Sequence, residues 1–214
     1  MTDNDDAVMY IVVRKGHSSS LVELLSDAAK AVCNVLSEYG REAMHRGAFE
    51  AWRAGIYRKV TLRANDKELA SLSALPSCTR GDVTVFPPVR RSDRPKALAK
   101  LQTYNATAAD MRTGFKAPTA DDATIVLNGD VPMSVGKMLA QVGHSAMLAF
   151  EALHDPMVAS EWWRRGFPCV VTWAGGEEWS RLASENAAGV VTDAGLTEIE
   201  SGTQTCLAVV GRRG

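Results

Sequence analysis

The sequence lacks long hydrophobic runs, paired cysteines and the motifs of several enzyme classes. No apolar stretch approaches the roughly 20 residues that a membrane-spanning helix needs. The four cysteines are widely spaced without a CxxC pair, which argues against a zinc knuckle or a disulfide framework and favours reduced thiols. GxSxG, HExxH and Walker patterns are absent, and no His, Asp and Glu spacing resembles a metal site. We therefore expect no metal, no other cofactor and no membrane partner.

The composition is ordinary for a soluble globular protein. The chain has 214 residues, of which 46% are hydrophobic and 23% are charged, enough for one large domain or two small ones. Its first residues, MTDNDDAV, are acidic and polar, unlike a signal or transit peptide. We therefore expect a cytoplasmic protein.

The small net charge hides an asymmetry between the two parts of the chain. Residues 1–120 carry 18 Lys and Arg against 13 Asp and Glu, whereas residues 121–214 carry 6 against 12. These balances of +5 and −6 give the net charge of −1. A nucleic-acid partner needs a local basic surface, which the first part offers. The alternative is a chance segregation of charges on solvated faces.

Two parts of the sequence resemble each other. The apolar segment MYIVVR at 9–14 aligns with ATIVLN at 123–128 at an offset of 114, and both are typical of buried strands. A helix with one apolar stripe follows each strand. The stripes consist of Leu21, Leu24, Leu25, Ala28, Val32, Val35, Leu36 and Tyr39, and of Val135, Met138, Leu139, Val142, Ala146, Ala149, Phe150 and Leu153.

A second pair of segments extends the repeat. WRAGIYRKVTLRA at 52–64 aligns with WRRGFPCVVTWAG at 163–175 at an offset of 111, which pairs Trp52 with Trp163. Each segment is typical of a helix end, a glycine turn and a strand. We predict two related α/β units, an N-terminal unit at 1–105 and a C-terminal unit at 121–214, joined by a linker at 106–120 without apolar periodicity.

The C-terminal unit carries a polar stripe on its first helix. Lys137, Gln141 and His144 are spaced i, i+4 and i+7, which places them on one side of the helix. Small residues such as Gly136 and Gly143 flank the stripe and permit close approach of a backbone or a ligand. The helix N-terminus also favours an anion such as phosphate. The alternative is an ordinary solvated face.

A second polar segment, VTDAGLTEIESGTQT at 191–205, carries the acid Asp193 and three hydroxyls, those of Thr197, Thr203 and Thr205. Its alternative interpretation is a set of side chains that satisfy turn amides. The repeat offers an internal comparison, because the N-terminal unit has Glu23, Asp27 and Lys30 at the stripe positions and Phe86 near the position of the acid. If these polar residues do chemistry, only the C-terminal unit does it.

Both polar segments resemble motifs of the type II peptidyl-tRNA hydrolase family. The family's G-K-x-x-A-Q-x-x-H pattern is matched at 136–144, and its D-A-G-x-T-x-I-x-x-G-T-x-T pattern at 193–205. The resemblance covers about residues 121–211 with every element in order. It implies an α/β fold with a mixed β-sheet and helices on both faces, here as a tandem duplication whose N-terminal repeat is degenerate.

The resemblance also implies an enzyme that hydrolyses, without a metal, the ester between a peptide and the tRNA 3′ end. Its catalytic residues fall on Lys137, Asp193, Thr197 and Thr205. Asp193 would orient or deprotonate water, and Lys137 would stabilise the oxyanion or bind a terminal phosphate. The threonines would fix the carboxylate, bind substrate or position water. The residues expected to bind substrate are Gln141, His144 and Thr203.

Three positions depart from the family pattern. Val135 and Leu196 replace residues that are often basic, and Glu198 replaces Gln. These changes remove positive charge, so a non-catalytic tRNA- or protein-binding module and a deacylase of another aminoacyl-tRNA stay open as alternatives. We expect basic residues of the N-terminal unit to supply phosphate contacts, above all Arg90 and Arg91. The wider set is Arg14, Lys15, Arg58, Lys59, Arg90, Arg91, Arg94, Lys96 and Lys100. The family's usual homodimer has an alternative here, an intrachain pseudo-dimer.

Overall fold

The structure, a computed structural model, describes residues 6–107, 123–153, 156–185 and 189–210. The elements of the N-terminal unit are β1 Ala7–Arg14, α1 Leu21–Tyr39, α2 Ala43–Ala54, β2 Lys59–Ala64, α3 Asp66–Ala70, β3 Cys78–Arg80, β4 Val83–Arg90, a 3-10 turn Arg91–Asp93, α4 Lys96–Ala99 and β5 Gln102–Thr103. Those of the C-terminal unit are β6 Ala123–Asn128, α5 Val135–Ala152, α6 Pro156–Arg164, β7 Cys169–Ala174, α7 Gly176–Glu185, β8 Val190–Thr192 and β9 Gln204–Val210. Most of the predicted linker at 106–120 lies outside the described residues.

Each unit has its own mixed sheet, and the two sheets share a strand order. The orders are β3-β4-β1-β2-β5 and β8-β9-β6-β7, so β5 is an additional edge strand. In each unit the first two strands are parallel and the other pairs are antiparallel. Parallel neighbours require a long crossover, which the helices after β1 and β6 supply. The two units therefore fit a tandem duplication.

A serine starts the long helix of each unit. The Ser20 hydroxyl accepts the N–H of Glu23 at 3.3 Å, and the Ser134 hydroxyl accepts the N–H of Lys137 at 3.2 Å. Such caps satisfy one of the free amides at a helix start. The two caps lie 114 residues apart, the offset predicted from the strands. Both apolar stripes are buried or packed against the core.

The tryptophan segments correspond at an offset of 110 rather than the predicted 111. The indole of Trp52 donates to the Arg58 carbonyl at 2.8 Å, and that of Trp162 donates to the Pro168 carbonyl at 2.9 Å. Trp163, which the sequence alignment paired with Trp52, is 56% exposed. Because the two tryptophans are adjacent in the chain, only burial distinguishes the correct one.

The backbone after these tryptophans supports the same offset. Tyr57 and Phe167 both adopt a positive φ, of 50° and 57°, which is uncommon for residues other than glycine. Two residues later Lys59 and Cys169 begin β2 and β7. Lys59 and Cys169 therefore occupy equivalent positions in the two units.

The units differ most in the connection between β3 and β4, whose equivalent in the C-terminal unit joins β8 to β9. Gly81 and Asp82 alone join β3 to β4, whereas the eleven residues 193–203 join β8 to β9. Asp193 is the first residue of this longer connection. The prediction that Phe86 stands near the position of the acid is wrong, because Phe86 lies within β4, the equivalent of β9.

The long helices α1 and α5 pack against each other between the two sheets. A Cβ on Gly143 of α5 would come within 3.1 Å of a methyl group of Val32 on α1. The Thr61 hydroxyl of β2 donates to the Gly136 carbonyl of α5 at 2.8 Å. Just as α5 contacts β2, α1 contacts β7, so the interface has the reciprocity of a two-fold dimer. The small residues beside the polar stripe therefore serve packing between the units.

Helices also cover the outer face of each sheet, as the predicted fold class requires. In the N-terminal unit Leu98 of α4 packs with Tyr10 of β1. In the C-terminal unit Trp179 and Leu182 of α7 pack with Val126 of β6. Across the described ranges, no helix combines the length and the apolar character needed to cross a membrane.

Candidate active site

The polar stripe of α5 is turned toward the rest of the protein instead of toward solvent. The Lys137 side chain is 13% exposed and Gln141 is 6% exposed, while His144 is partly buried. Buried polar groups need partners, because unpaired ones cost free energy. The interpretation of this stripe as a solvated face is therefore wrong.

Lys137 and Asp193 form an ion pair. The Lys137 Nζ lies 2.5 Å from Asp193 Oδ2, and the Gln141 Nε2 donates to the same oxygen at 2.6 Å. The Lys137 ammonium also donates to the Thr197 hydroxyl at 2.9 Å, and the Gly195 N–H donates to Asp193 Oδ1 at 2.8 Å. The structure thus brings together the Lys, Gln, Asp and first Thr of the two motifs, and three donors fix the carboxylate.

The connection 193–203 folds back on itself to hold Asp193. The Asp193 N–H donates to the Thr203 carbonyl at 2.8 Å, and the Gly202 N–H donates to the Asp193 carbonyl at 2.9 Å. Gly195 has a φ of +74°, and a Cβ there would come within 2.7 Å of the Ser201 side chain. This glycine therefore permits both the turn and the close backbone approach.

Two of the predicted threonines lie elsewhere. Thr205 is buried in β9, where its hydroxyl donates to the Val191 carbonyl at 3.3 Å. Thr203 meets Asp193 through its backbone carbonyl. The structure therefore does not place either hydroxyl beside the Lys137–Asp193 pair, and both residues support the strands that carry the acid.

These groups line a cleft of about 460 Å³ between the two units. On the C-terminal side the cleft is lined by Lys137, Gln141, His144, Asp193 and Thr197, with Leu196 at its rim. On the N-terminal side it is lined by the consecutive residues Ile56, Tyr57, Arg58, Lys59 and Val60. Sequence reasoning counted Arg58 and Lys59 only among many basic residues and did not place them at the site, because no motif marks this wall and it exists only once the units have packed together.

His144 faces the N-terminal wall. Its ring centroid lies 5.3 Å from that of Tyr57. Burial, together with the nearby charge of Lys59, lowers the pKa of His144 to about 2. Burial also lowers the pKa of Lys59 to about 7. His144 is therefore a neutral imidazole at physiological pH.

Three backbone amides at the start of α5 already have partners. The Ser134 N–H donates to the Glu198 carboxylate at 2.6 Å, and the Val135 N–H donates to the Ala106 carbonyl at 2.8 Å. The third, that of Lys137, binds the Ser134 hydroxyl. An anion site at this helix N-terminus is therefore not supported. Glu198 acts as a cap, and Val135 is buried, so a basic side chain at this position would be buried as well.

Arg90 and Arg91 are exposed and lie outside the cleft lining. The Arg91 N–H donates to the Asp6 carbonyl at 3.2 Å, and the Asp6 carboxylate pairs with Arg58 at 3.2 Å. Arg58 belongs to the N-terminal wall of the cleft. A single residue, Asp6, therefore links this basic edge to the cleft. Among the described residues, no group of three or more His, Cys, Asp and Glu is arranged to hold a metal ion.

Comparison with known proteins gives the C-terminal unit a family. The family described as peptidyl-tRNA hydrolase PTH2 matches residues 122–212. A peptidyl-tRNA hydrolase of Methanopyrus kandleri is 39% identical over 92 residues, which cover 40% of this chain and 79% of the relative. One from Halobacterium salinarum is 36% identical over 91 residues, covering 40% and 80%. One from Methanocaldococcus jannaschii is 33% identical over 93 residues, covering 40% and 81%. The chain belongs, through its C-terminal unit, to the peptidyl-tRNA hydrolase PTH2 family.

Proposed function

We propose that this protein hydrolyses the ester between a peptide and the 3′-terminal ribose of tRNA, which releases free tRNA for translation. The observation that carries the proposal is the Lys137–Asp193 pair, held by Gln141 and Thr197 in a cleft between the units. The relatives that match this part of the chain are named for the same reaction.

In the proposed reaction a water oxygen attacks the ester carbonyl carbon. Asp193 orients this water and takes its proton, which passes to the departing ribose oxygen as the ester C–O bond breaks. An ammonium has three N–H donors, and the contacts with Asp193 and Thr197 use two of those on Lys137. The third is directed to the oxyanion of the tetrahedral intermediate.

The remaining predicted residues have supporting roles in this proposal. Gln141 holds the Asp193 carboxylate, and Thr197 orients the Lys137 ammonium. Thr205 and Thr203 position the acid through the strand and the turn next to it. His144 contributes its neutral imidazole ring as a contact surface for the substrate.

Arg90 and Arg91 are proposed to contact tRNA phosphates outside the cleft. The C-terminal half carries a charge balance of −6, so cations for RNA must come from the N-terminal unit. We further propose a cytoplasmic location, a reaction without a metal or other cofactor, and a pseudo-dimeric monomer in which the N-terminal unit replaces a second subunit.

The test is turnover by the purified full chain on three substrates: peptidyl-tRNA, L-aminoacyl-tRNA and D-aminoacyl-tRNA. Preferred hydrolysis of peptidyl-tRNA, unchanged by a metal chelator, supports the proposal. Preferred hydrolysis of either of the other esters would make the protein a deacylase of a different class. Binding of peptidyl-tRNA without release of peptide would make it a non-catalytic module.

A further inference from the structure

Lys59 is a cation that the N-terminal unit places in the cleft of the C-terminal unit. Its side chain crosses the interface, since a Cβ on Gly143 of α5 would lie 3.7 Å from Lys59 Cδ. Its ammonium lies 5.1 Å from the centroid of the Trp52 ring, a cation–π contact. Lys59 also lines the cleft together with His144 and Lys137.

The ammonium of Lys59 has few hydrogen-bond partners among the described residues. Across the described parts of the chain it forms no ion pair with a carboxylate, and the Tyr57 carbonyl, at 2.7 Å, is its one hydrogen-bond acceptor. An ammonium carries three N–H donors and is costly to bury without an anionic partner. The low pKa of Lys59, about 7, is a measure of that cost. Two donors are therefore open to a ligand.

The equivalent position of the other unit shows that the fold does not require a cation here. Cys169 takes the place of Lys59 at the start of β7, and its thiol donates to the Ser26 carbonyl of α1 at 3.6 Å. The positive φ before it is kept at Phe167, as at Tyr57. The turn is therefore structural, whereas the lysine is present only on the wall that faces Lys137 and Asp193.

We propose that Lys59 binds a phosphate of the tRNA 3′ terminus and so positions the ester at Lys137 and Asp193. This inference rests on the proposed function. Lys59 packs beside Gly143, six residues along α5 from Lys137, which is about 9 Å along the helix axis. A phosphate on the 5′ side of the acylated ribose lies at such a distance from the ester. The C-terminal half, with six basic residues against twelve acidic ones, has few cations to offer.

The experiment measures equilibrium binding of deacylated tRNA, so it does not depend on turnover. Intact tRNA is compared with tRNA lacking its 3′-terminal CCA, each over a series of salt concentrations. The variant Lys59→Met keeps the aliphatic packing and removes the charge. The matched control is Lys67→Met, which removes an exposed lysine on α3 at the other end of the sheet.

Lys59→Met is expected to weaken binding of intact tRNA about tenfold and to reduce the slope of log K against log salt by about 0.7, the value for one phosphate contact to a single strand. Binding of truncated tRNA should match that of the wild type. Lys67→Met should bind both tRNAs as the wild type does, and Lys59→Arg should keep the full salt slope.

Three outcomes would overturn the proposal. One is unchanged affinity of Lys59→Met for intact tRNA. Another is an equal loss on intact and truncated tRNA, which would show a distant or structural effect. The last is a loss of peptidyl-tRNA binding, measured in parallel, without any loss for deacylated tRNA, which would place the peptide at Lys59. If the protein binds as predicted but releases no peptide, the proposed function fails while this inference stands.

Discussion

The N-terminal and C-terminal units share a strand order, but they differ in the residues at the start of their long helices. Where the C-terminal unit has Lys137 and Gln141, the N-terminal unit has Glu23 and Asp27. Its two-residue hairpin also fills the corresponding space, since a Cβ on Gly81 would collide with the Asp27 carboxylate. In the N-terminal unit the short hairpin therefore occupies the space beside Asp27, whereas in the C-terminal unit the long connection 193–203 leaves the corresponding space open.

The charges of the two corners differ as well. Burial raises the pKa of Asp27, and the nearby charges of Asp82 and Glu23 act in the same direction. The nearby charges of Lys30 and Arg80 oppose this shift, so three acids and two cations lie together here, whereas the equivalent place in the C-terminal unit pairs one acid with one lysine. The proposed chemistry therefore needs two differences from the N-terminal unit at once: the longer connection, and a lysine and a glutamine in the polar stripe.

The largest expected effect concerns Lys137 and Glu23, which occupy equivalent positions in the polar stripes of the two units. Lys137→Ala should lower kcat/KM on peptidyl-tRNA about a hundredfold or more, because it removes the proposed oxyanion donor. Glu23→Ala, the matched change, should stay within about twofold, with a small loss of stability because the capping box loses its glutamate. Equal losses of kcat/KM in the two variants, measured by steady-state kinetics, would show that the two positions do not differ in function.

A second effect concerns the basic edge of the N-terminal unit. Arg90→Gln combined with Arg91→Gln should weaken tRNA binding about tenfold and lower the salt slope by about 1 to 2. Arg94 is left in place because its guanidinium packs over the Tyr10 ring at 4.7 Å. Titrations at several salt concentrations check this, with Lys67→Gln as the control, and an unchanged slope would remove these arginines from the interface.

A smaller effect is expected at Thr205. Thr205→Val should lower the free energy of unfolding by about 1 kcal/mol, since the Val191 carbonyl loses its partner. It should reduce kcat only a few-fold, because the hydroxyl lies away from the Lys137–Asp193 pair. Denaturant unfolding and steady-state kinetics measure the two effects. A hundredfold loss of kcat with unchanged stability would instead make Thr205 a catalytic residue.

The smallest effect is a pH dependence of stability. The folded pKa of His144, about 2, lies below the value of about 6.5 expected in the unfolded chain. The unfolded state therefore binds more protons as the pH falls below 6.5, and the stability that neutral His144 contributes is lost. The melting temperature of the wild type should fall from pH 7 to pH 5 by several degrees more than that of His144→Asn. Parallel curves would contradict a buried, neutral His144.

Much of the C-terminal unit could be predicted from the sequence, because its signals are local. Apolar periodicity gave the buried stripes of α1 and α5, and the two motifs identified Lys137 and Asp193. The direction of the Thr205 hydroxyl could not be predicted, since it depends on how β9 pairs with β8, and that pairing has a register shift between Val191 and Thr192.

The sequence includes Lys59 among the basic residues of the N-terminal unit, but its place in the cleft could not be predicted, for a different reason. Lys59 lies 78 residues before Lys137, and only the packing of α5 on β2 brings the two into one cleft. The repeat alignment was shifted by one residue at Trp162 and Trp163, so it could not show that Lys59 replaces Cys169. Side-chain burial and backbone geometry supplied that information.

Hydrolysis is proposed to depend on one carboxylate, that of Asp193 in the long connection of the C-terminal unit. The direct measurement is the single-turnover rate of peptide release from peptidyl-tRNA by the wild type, Asp193→Asn and Asp82→Asn, where Asp82 lies in the short hairpin of the other unit. We predict hydrolysis by the wild type, a loss of about a hundredfold or more for Asp193→Asn, and a rate within about twofold for Asp82→Asn. If Asp193→Asn instead releases peptide at the wild-type rate, the Asp193 carboxylate is not required for hydrolysis.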